Sequence, residues 1–190
     1  MMADRLDLVA LVGSLRAESW NRRVLEVAAA SPPAGASLEL VSLSAIPPYD
    51  QDLDDAGEPA GVVELKDRIA ACDGVIINTP EYNLGISGVV KNALDWVSRP
   101  PFEGPLMRTA ATVIAASPGR SEPARSAAQA RMTTEICGAM MMDEPDLLLS
   151  RLAKRHSDPV GFDDDVRRVI CDHVQRFAEF VAATLSAEQS

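Results

Sequence analysis

The chain has 190 residues, of which 47% are hydrophobic and 24% charged, a composition typical of a folded domain. We expect one domain, residues 1–190, because a chain of this length buries roughly 70% of its unfolded surface. The formal net charge of −10 argues against nucleic acid or an anionic membrane as a partner. No apolar run reaches the ~20 residues that cross a bilayer. The acidic residues Asp4 and Asp7 are unlike a signal peptide, so we expect a cytoplasmic protein.

The cysteines and histidines give no metal or disulfide pattern. Cys72, Cys137 and Cys171 are odd in number and widely spaced, and they form no CxxC pair. His156 and His173 lack the spacing of metal ligands. The sequence therefore predicts idle thiols and no metal.

Strand and helix signals alternate along the chain. Short apolar or alternating runs predict strands at residues 6–12, 38–43, 74–79, 109–116 and 139–142. Apolar residues at helical spacing predict helices at residues 20–30, 62–71, 89–97, 125–136 and 165–185. The stretches 45–61 and 80–88 are predicted to be loops, the first because it is rich in Pro, Asp and Gly. Five alternations predict an α/β fold, with a parallel sheet covered by helices on both faces.

This fold class already predicts where a ligand binds. In an open parallel sheet, ligands lie beyond the carboxyl ends of the strands, where the strand order reverses. The loops that leave the first, third and fourth predicted strands are residues 13–21, 80–87 and 117–122. These three loops form the candidate site.

The first loop has the composition of a phosphate site. Its sequence is GSLRAESWN, and a helix follows, whose N-terminal amides attract anions. Ser14, Ser19 and Asn21 offer side-chain donors, and Arg16 offers a positive charge. The segment lacks the glycine pattern of a dinucleotide fold and the Gly-Lys-Ser/Thr of a P-loop. By itself it is equally consistent with a capped turn in which Ser19 is the N-cap.

The second loop offers a rigid backbone and an aromatic ring. Pro80 is followed by Tyr82, Asn83 and two glycines, which allow a flat heteroaromatic ligand to approach the main chain. Taken alone, a plain turn with an exposed Tyr82 explains the same residues.

Together these segments resemble the NAD(P)H-dependent FMN reductase family. The similar stretches are GSLRAESWN at 13–21, TPEYN at 79–83 and VKNALDWVSRP at 90–100, and the match runs from about residue 8 to 142. The resemblance implies a flavodoxin-like three-layer sandwich with a five-stranded parallel sheet of order 2-1-3-4-5. It also implies FMN as cofactor, NADPH or NADH as electron donor, and a homodimer or homotetramer.

The activity implied by the resemblance is a two-stage transfer. Hydride passes from the nicotinamide to FMN, and the electrons then leave to a small-molecule acceptor, a quinone, free flavin, azo dye or metal oxyanion, in ping-pong kinetics. The flavin carries the chemistry, so we expect no catalytic acid or base from the protein. The alternative is an electron carrier or redox-sensing FMN module that does not react with NAD(P)H itself.

The resemblance also assigns roles to individual residues of the three loops. The residues expected around the FMN phosphate are Ser14, Arg16, Ser19 and Asn21. Those expected along the ring are Pro80, Glu81, Tyr82 and Asn83 on one side, and Ser117 and Gly119 on the other. Similar proteins continue the third loop with a pair of glycines, where this chain has Ser121, Glu122 and Pro123.

Overall fold

A computed structural model describes residues 5–188, so the acidic Asp4 lies outside the described residues. In chain order the strands are β1 (Leu6–Val12), β2 (Ala36–Ser42), β3 (Gly74–Thr79), β4 (Glu81–Tyr82), β5 (Gly85–Ile86), β6 (Ala110–Ala116), β7 (Met140–Met141), β8 (Leu147–Leu149), β9 (His156–Ser157) and β10 (Gly161–Phe162). The helices are α1 (Trp20–Ala30), α2 (Gln51–Ala56), α3 (Ala60–Ala71), α4 (Gly88–Val97), α5 (Ala124–Ile136) and α6 (Asp164–Glu188).

The central sheet is parallel and has the strand order β2-β1-β3-β6-β7. This confirms the predicted order 2-1-3-4-5 and the flavodoxin-like class. At the far edge, two short strands share β6 as their partner: Met140 pairs beside Ala110, and Leu147 pairs beside Ile114. The predicted last strand at 139–142 is therefore shorter than expected, and β8 continues the edge as an additional, unpredicted strand.

The sheet separates two apolar layers. Alternate side chains of β1 point to opposite faces, as the two-residue period of a strand requires. Leu8 and Val12 pack with α1 and α6, whereas Val9 and Leu11 pack with α3, α4 and α5. Burial on both faces explains why the central strands read as continuous apolar runs.

The predicted loops contain secondary structure that the sequence did not reveal. Within residues 45–61, Asp50 caps the short helix α2, its carboxylate accepting a hydrogen bond from the Asp52 amide. Within residues 80–88, β4 and β5 form an antiparallel hairpin. A second hairpin, β9–β10, precedes α6. No helix within residues 5–188 is long and apolar enough to cross a membrane.

Candidate active site

One buried side chain, that of Asn78 at the end of β3, connects both ends of the first site loop with β6. Its Oδ1 accepts a hydrogen bond from the Gly13 amide at 3.4 Å. Its Nδ2 donates to Oδ1 of Asn21 and to the Ile114 carbonyl, both at 3.0 Å. Sequence reasoning missed this residue, although a lone amide inside the apolar run GVIINT is a recognisable signal.

The Gly13 backbone packs against the end of β3 and accepts a hydrogen bond from the second loop. A Cβ placed on Gly13 would lie 1.9 Å from the carbonyl oxygen of Asn78, so only glycine fits there. The Ser87 hydroxyl donates to the Gly13 carbonyl at 2.8 Å, and the Ser87 amide donates to the Thr79 hydroxyl at 3.2 Å. These contacts fix the base of the second loop against the start of the first.

The first loop carries a set of amides without acceptors. Ser19 is the N-cap of α1 and accepts a hydrogen bond from the Arg22 amide at 3.3 Å, while Ser14 accepts a long bond from the Arg16 amide. Within the described residues, the amides of Leu15, Ala17, Glu18 and Trp20 have no acceptor. Unpaired amides at the start of a helix form an anion site.

The charge at the start of α1 also favours an anion. Its first turn contains no acidic residue but contains Arg22 and Arg23, the opposite of what the helix dipole prefers. Arg23 forms an ion pair with Glu18, the residue just before the cap, whereas Arg16 is exposed and forms no ion pair among the described residues. A bound phosphate would satisfy both the free amides and the excess positive charge, so this loop fits the phosphate of FMN.

Asn21 is used differently from the other predicted phosphate residues. Its side chain is buried, with Nδ2 donating to the Ala116 carbonyl at 2.9 Å and Oδ1 accepting from Asn78. The side chain therefore holds the start of α1 against the end of β6.

The second loop is a two-residue hairpin with a strained tip. Asn83 and Leu84 have φ values of 51° and 63°, the left-handed conformation that such a tight turn requires at both central residues. A leucine in the left-handed conformation costs conformational free energy, so contacts with the surrounding structure must hold the turn in place. Tyr82 is 49% exposed and stands beside the tip.

The contacts that hold the hairpin come from α5. The Glu81 carboxylate accepts hydrogen bonds from the amides of Arg125 and Ser126, at 3.0 and 3.2 Å. It thus caps the N-terminus of α5, whose own preceding residue is a proline without a side-chain cap. The Gln129 side chain accepts from the Ile86 amide at 3.0 Å. Sequence reasoning could not find this contact, because it joins residues more than 40 positions apart.

The third loop is supported by the segment that follows β8. The Ser117 amide donates to the Leu149 carbonyl at 2.8 Å, and the Arg151 amide donates to the Gly119 carbonyl at 2.6 Å. Ser117 also accepts a hydrogen bond from the Gly119 amide through its hydroxyl. In place of a glycine pair, the loop ends in Pro123, directly before α5.

The KNALDW stretch stabilises a neighbouring loop. The Asn92 amide and the Trp96 indole both donate to the Pro47 carbonyl, at 2.7 and 2.9 Å. Trp96 is fully buried and contacts the ring of Tyr49 edge-on. A cavity of about 760 Å³ lies between this region and α3, and none of the three site loops lines it.

A flavodoxin-like sheet with an anion loop, a tight hairpin and a third loop at the same edge is typical of a flavin-dependent oxidoreductase. The family described as NADPH-dependent FMN reductase matches residues 6–153. The chain belongs to this family, which confirms the resemblance seen in the sequence. It is an oxidoreductase whose cofactors are FMN and a reduced nicotinamide nucleotide.

Similar proteins are found among enzymes and among solved structures. An NAD(P)H-dependent FMN reductase of Pseudomonas aeruginosa is 36% identical over 176 residues, which cover 92% of this chain and 94% of the relative. A quinone reductase of Escherichia coli is 33% identical over 184 residues, covering 95% and 97% of the two chains. The flavoenzyme NAD(P)H:(acceptor) oxidoreductase FerB of Paracoccus denitrificans superposes with a TM-score of 0.83 at 28% identity, covering 94% and 98%.

Proposed function

We propose that the chain binds FMN in the crevice between the three loops, oxidises NADPH or NADH, and passes the electrons to a small acceptor. The observation that carries the proposal is the set of unpaired amides at the start of α1, with two arginines in the first turn. This arrangement suits a phosphomonoester held mainly by neutral donors.

Three side chains are proposed to complete the phosphate site. The hydroxyls of Ser14 and Ser19 add donors on either side of the free amides, and the exposed Arg16 adds a charge that closes over the phosphate. Asn21 is proposed as a positioning residue, because its amide already holds α1 to β6.

The ring is proposed to lie between the hairpin and the third loop. Pro80, Glu81, Tyr82 and Asn83 would border one side, mostly through the main chain, while Ser117 and Gly119 would border the other. Glu81 takes part indirectly, since its carboxylate fixes the hairpin to α5. When bound, FMN supplies the hydride acceptor and the electron donor of the reaction. The protein's part is to orient the ring, to keep one face open and to offer amides to its pyrimidine edge.

The proposed acceptor is a quinone, and the alternative acceptors are a free flavin, an azo dye and a metal oxyanion. The relative from E. coli is named a quinone reductase, and flat acceptors stack on an exposed ring in the same way as a nicotinamide. Donor and acceptor would then use one face in turn, which gives ping-pong kinetics.

We further propose that the chain forms a homodimer or homotetramer. The helix α5 exposes Met132 by 59% and Ile136 by 83%, one turn apart, and such residues are typical of an interface. Light scattering on the purified protein tests this. The cytoplasmic location and the single-domain organisation stay predictions.

The decisive experiment is a flavin titration followed by turnover. We expect FMN to bind with quenched fluorescence and NADPH or NADH to be consumed with a quinone and no second protein. An electron carrier would consume neither nucleotide without a separate reductase. Absence of both FMN binding and turnover would disprove the proposal.

A matched pair of variants locates the phosphate. Arg16→Ala combined with Ser19→Ala should weaken FMN binding at least about tenfold, because it removes one charge-assisted and one neutral hydrogen bond. Arg5→Ala, at the opposite edge of the sheet, changes the net charge equally and should leave FMN affinity unaltered. Unchanged affinity in the double variant, with its circular dichroism intact, would place the phosphate elsewhere.

A further inference from the structure

Arginines without partners are concentrated on one side of this acidic protein. Within residues 5–188, seven arginine side chains have no hydrogen bond or ion pair: Arg5, Arg16, Arg22, Arg99, Arg120, Arg125 and Arg151. Of these, Arg99 lies over the ring of Tyr49. Four of them, Arg16, Arg22, Arg120 and Arg125, lie in or just after the site loops, and Arg151 follows β8, so all five lie at the carboxyl ends of strands. Arg5 precedes β1 and therefore lies at the opposite edge. Unpaired positive charge in a chain of net charge −10 points to an anionic ligand at that edge.

Two of these arginines are brought together by the backbone. The Arg151 amide donates to the Gly119 carbonyl at 2.6 Å, so the Arg151 backbone lies against the third-loop residue that precedes Arg120. Arg151 has a φ of 59°, a left-handed conformation that is unusual for arginine. The Leu152 amide donates to the Ser117 carbonyl at 3.3 Å, so a second bond keeps the two segments together. Both arginines are exposed, and the carboxylate of Glu122 in the same loop pairs with neither of them.

We infer that Arg120 and Arg151 bind the 2′-phosphate of NADPH and make the enzyme prefer NADPH over NADH. This inference rests on the proposed function. A nicotinamide stacked on the open ring face would extend its adenosine half across the rim of the crevice, and the third loop is one wall of that rim. NADPH and NADH differ only in a phosphomonoester on this adenosine. Guanidinium groups bind such a dianion through paired hydrogen bonds, which a neutral loop does not provide.

The local charge is needed because the rest of the surface repels the ligand. NADPH carries more negative charge than NADH, and the protein's net charge of −10 opposes its approach. Two exposed arginines on segments joined by backbone hydrogen bonds supply positive charge at one place on this surface. Arg16 is not available for the task, since it is proposed to close over the FMN phosphate on the other side of the crevice.

The test uses the FMN-loaded protein and two readouts. The first is binding of 2′,5′-ADP and of 5′-AMP, measured by calorimetry, with inorganic phosphate as a further probe. We expect 2′,5′-ADP to bind at least about tenfold tighter than 5′-AMP, and inorganic phosphate to bind more weakly than 2′,5′-ADP. The second is the ratio of kcat/KM for NADPH to that for NADH.

The variants are Arg120→Gln and Arg151→Asn, the latter chosen because asparagine tolerates a positive φ. Each should lower the NADPH-to-NADH ratio and the preference for 2′,5′-ADP about tenfold, and Arg120→Lys should recover part of both. Arg5→Ala is the control for net charge and should change neither.

Equal binding of 2′,5′-ADP and 5′-AMP by the FMN-loaded protein would overturn the inference, as would an unchanged ratio in both variants. A ratio that falls equally in Arg5→Ala would also overturn it, because a general charge effect would then explain the result. These outcomes leave the proposed function standing, whereas failure to load FMN at all contradicts the proposed function itself.

Discussion

The stability of the protein should depend on pH through one buried histidine. His173 lies on α6, is 1% exposed, and has its Nε2 3.0 Å from the Thr112 hydroxyl on β6. Its Nδ1 has no partner among the described residues. Burial, assisted by the charges of Arg176 and Arg131, lowers the pKa of His173 from 6.5 to about 4. The folded protein therefore holds this side chain neutral.

The sign and size of the effect follow from linkage. Between pH 6.5 and 4 the unfolded chain binds a proton that the folded chain does not, so stability is lost as the pH falls through this window. With these two pKa values, the loss attributable to His173 between pH 7 and pH 5 is about 2 kcal/mol. Arg176 and Arg131 pair with Glu144 and Asp146, and these pairs remain in any variant of the histidine.

Urea unfolding at several pH values measures this contribution. His173→Gln preserves an acceptor for Thr112 and removes the titration, so its stability should fall about 2 kcal/mol less than that of the wild type between pH 7 and pH 5. His156→Gln changes the other histidine of the chain and serves as the matched control. Equal pH dependence in the wild type and in His173→Gln would show that the buried ring does not remain neutral, and the reasoning would fail.

Three further predictions concern backbone packing, the hairpin and a thiol. Gly13→Ala should destabilise the protein by about 1–3 kcal/mol in urea unfolding, because the new Cβ would meet the Asn78 carbonyl. Gly88→Ala is the control, since a Cβ there has open space and should not destabilise the protein. Equal stabilities of the two variants would contradict the close contact at Gly13. Glu81→Gln should lower the free energy of unfolding by about 1 kcal/mol and weaken FMN binding, because it removes the negative charge that caps α5. Unaltered stability and FMN affinity would show that the cap does not hold the hairpin. Burial raises the pKa of the Cys72 thiol to about 11. Cys72 should therefore react slowly with iodoacetamide at pH 8 in the folded protein and quickly in urea. Equal rates in the two states would refute this protection.

The sequence predicted the architecture well because the central strands are apolar on both faces. Runs such as Leu6–Val12 and Gly74–Thr79 indicate buried parallel strands in an alternating α/β chain, and the bounds of both strands were predicted correctly. The helix α2 was missed because its six residues contain three aspartates and bury no side chain. The strand β8 was missed because three leucines after an acidic loop give too short a pattern to interpret.

The edge of the sheet that carries the candidate site could be predicted from the sequence, but the contacts among its loops could not. The three candidate loops follow β1, β3 and β6 as predicted, since their position depends only on where strands end. The partners of Asn21 and Glu81 are groups far away in sequence: the Asn78 side chain for Asn21, and the backbone amides at the start of α5 for Glu81. Hydrogen bonds of this kind leave no local signal in the chain, so only the folded structure reveals that these residues hold the loops.

The position of Asn78 has a consequence for protein engineering. The buried side-chain amide of Asn78 ties the turn that follows β1 to β3 and β6. Neither the turn nor these strands can therefore move without disturbing the other. Designers who want a different acceptor or a different electron donor therefore have freedom at solvent-facing positions such as Tyr82 and Arg120, and very little below them. Random libraries at exposed positions such as Tyr82 and Arg120 should retain folded clones far more often than libraries that include the buried Asn78.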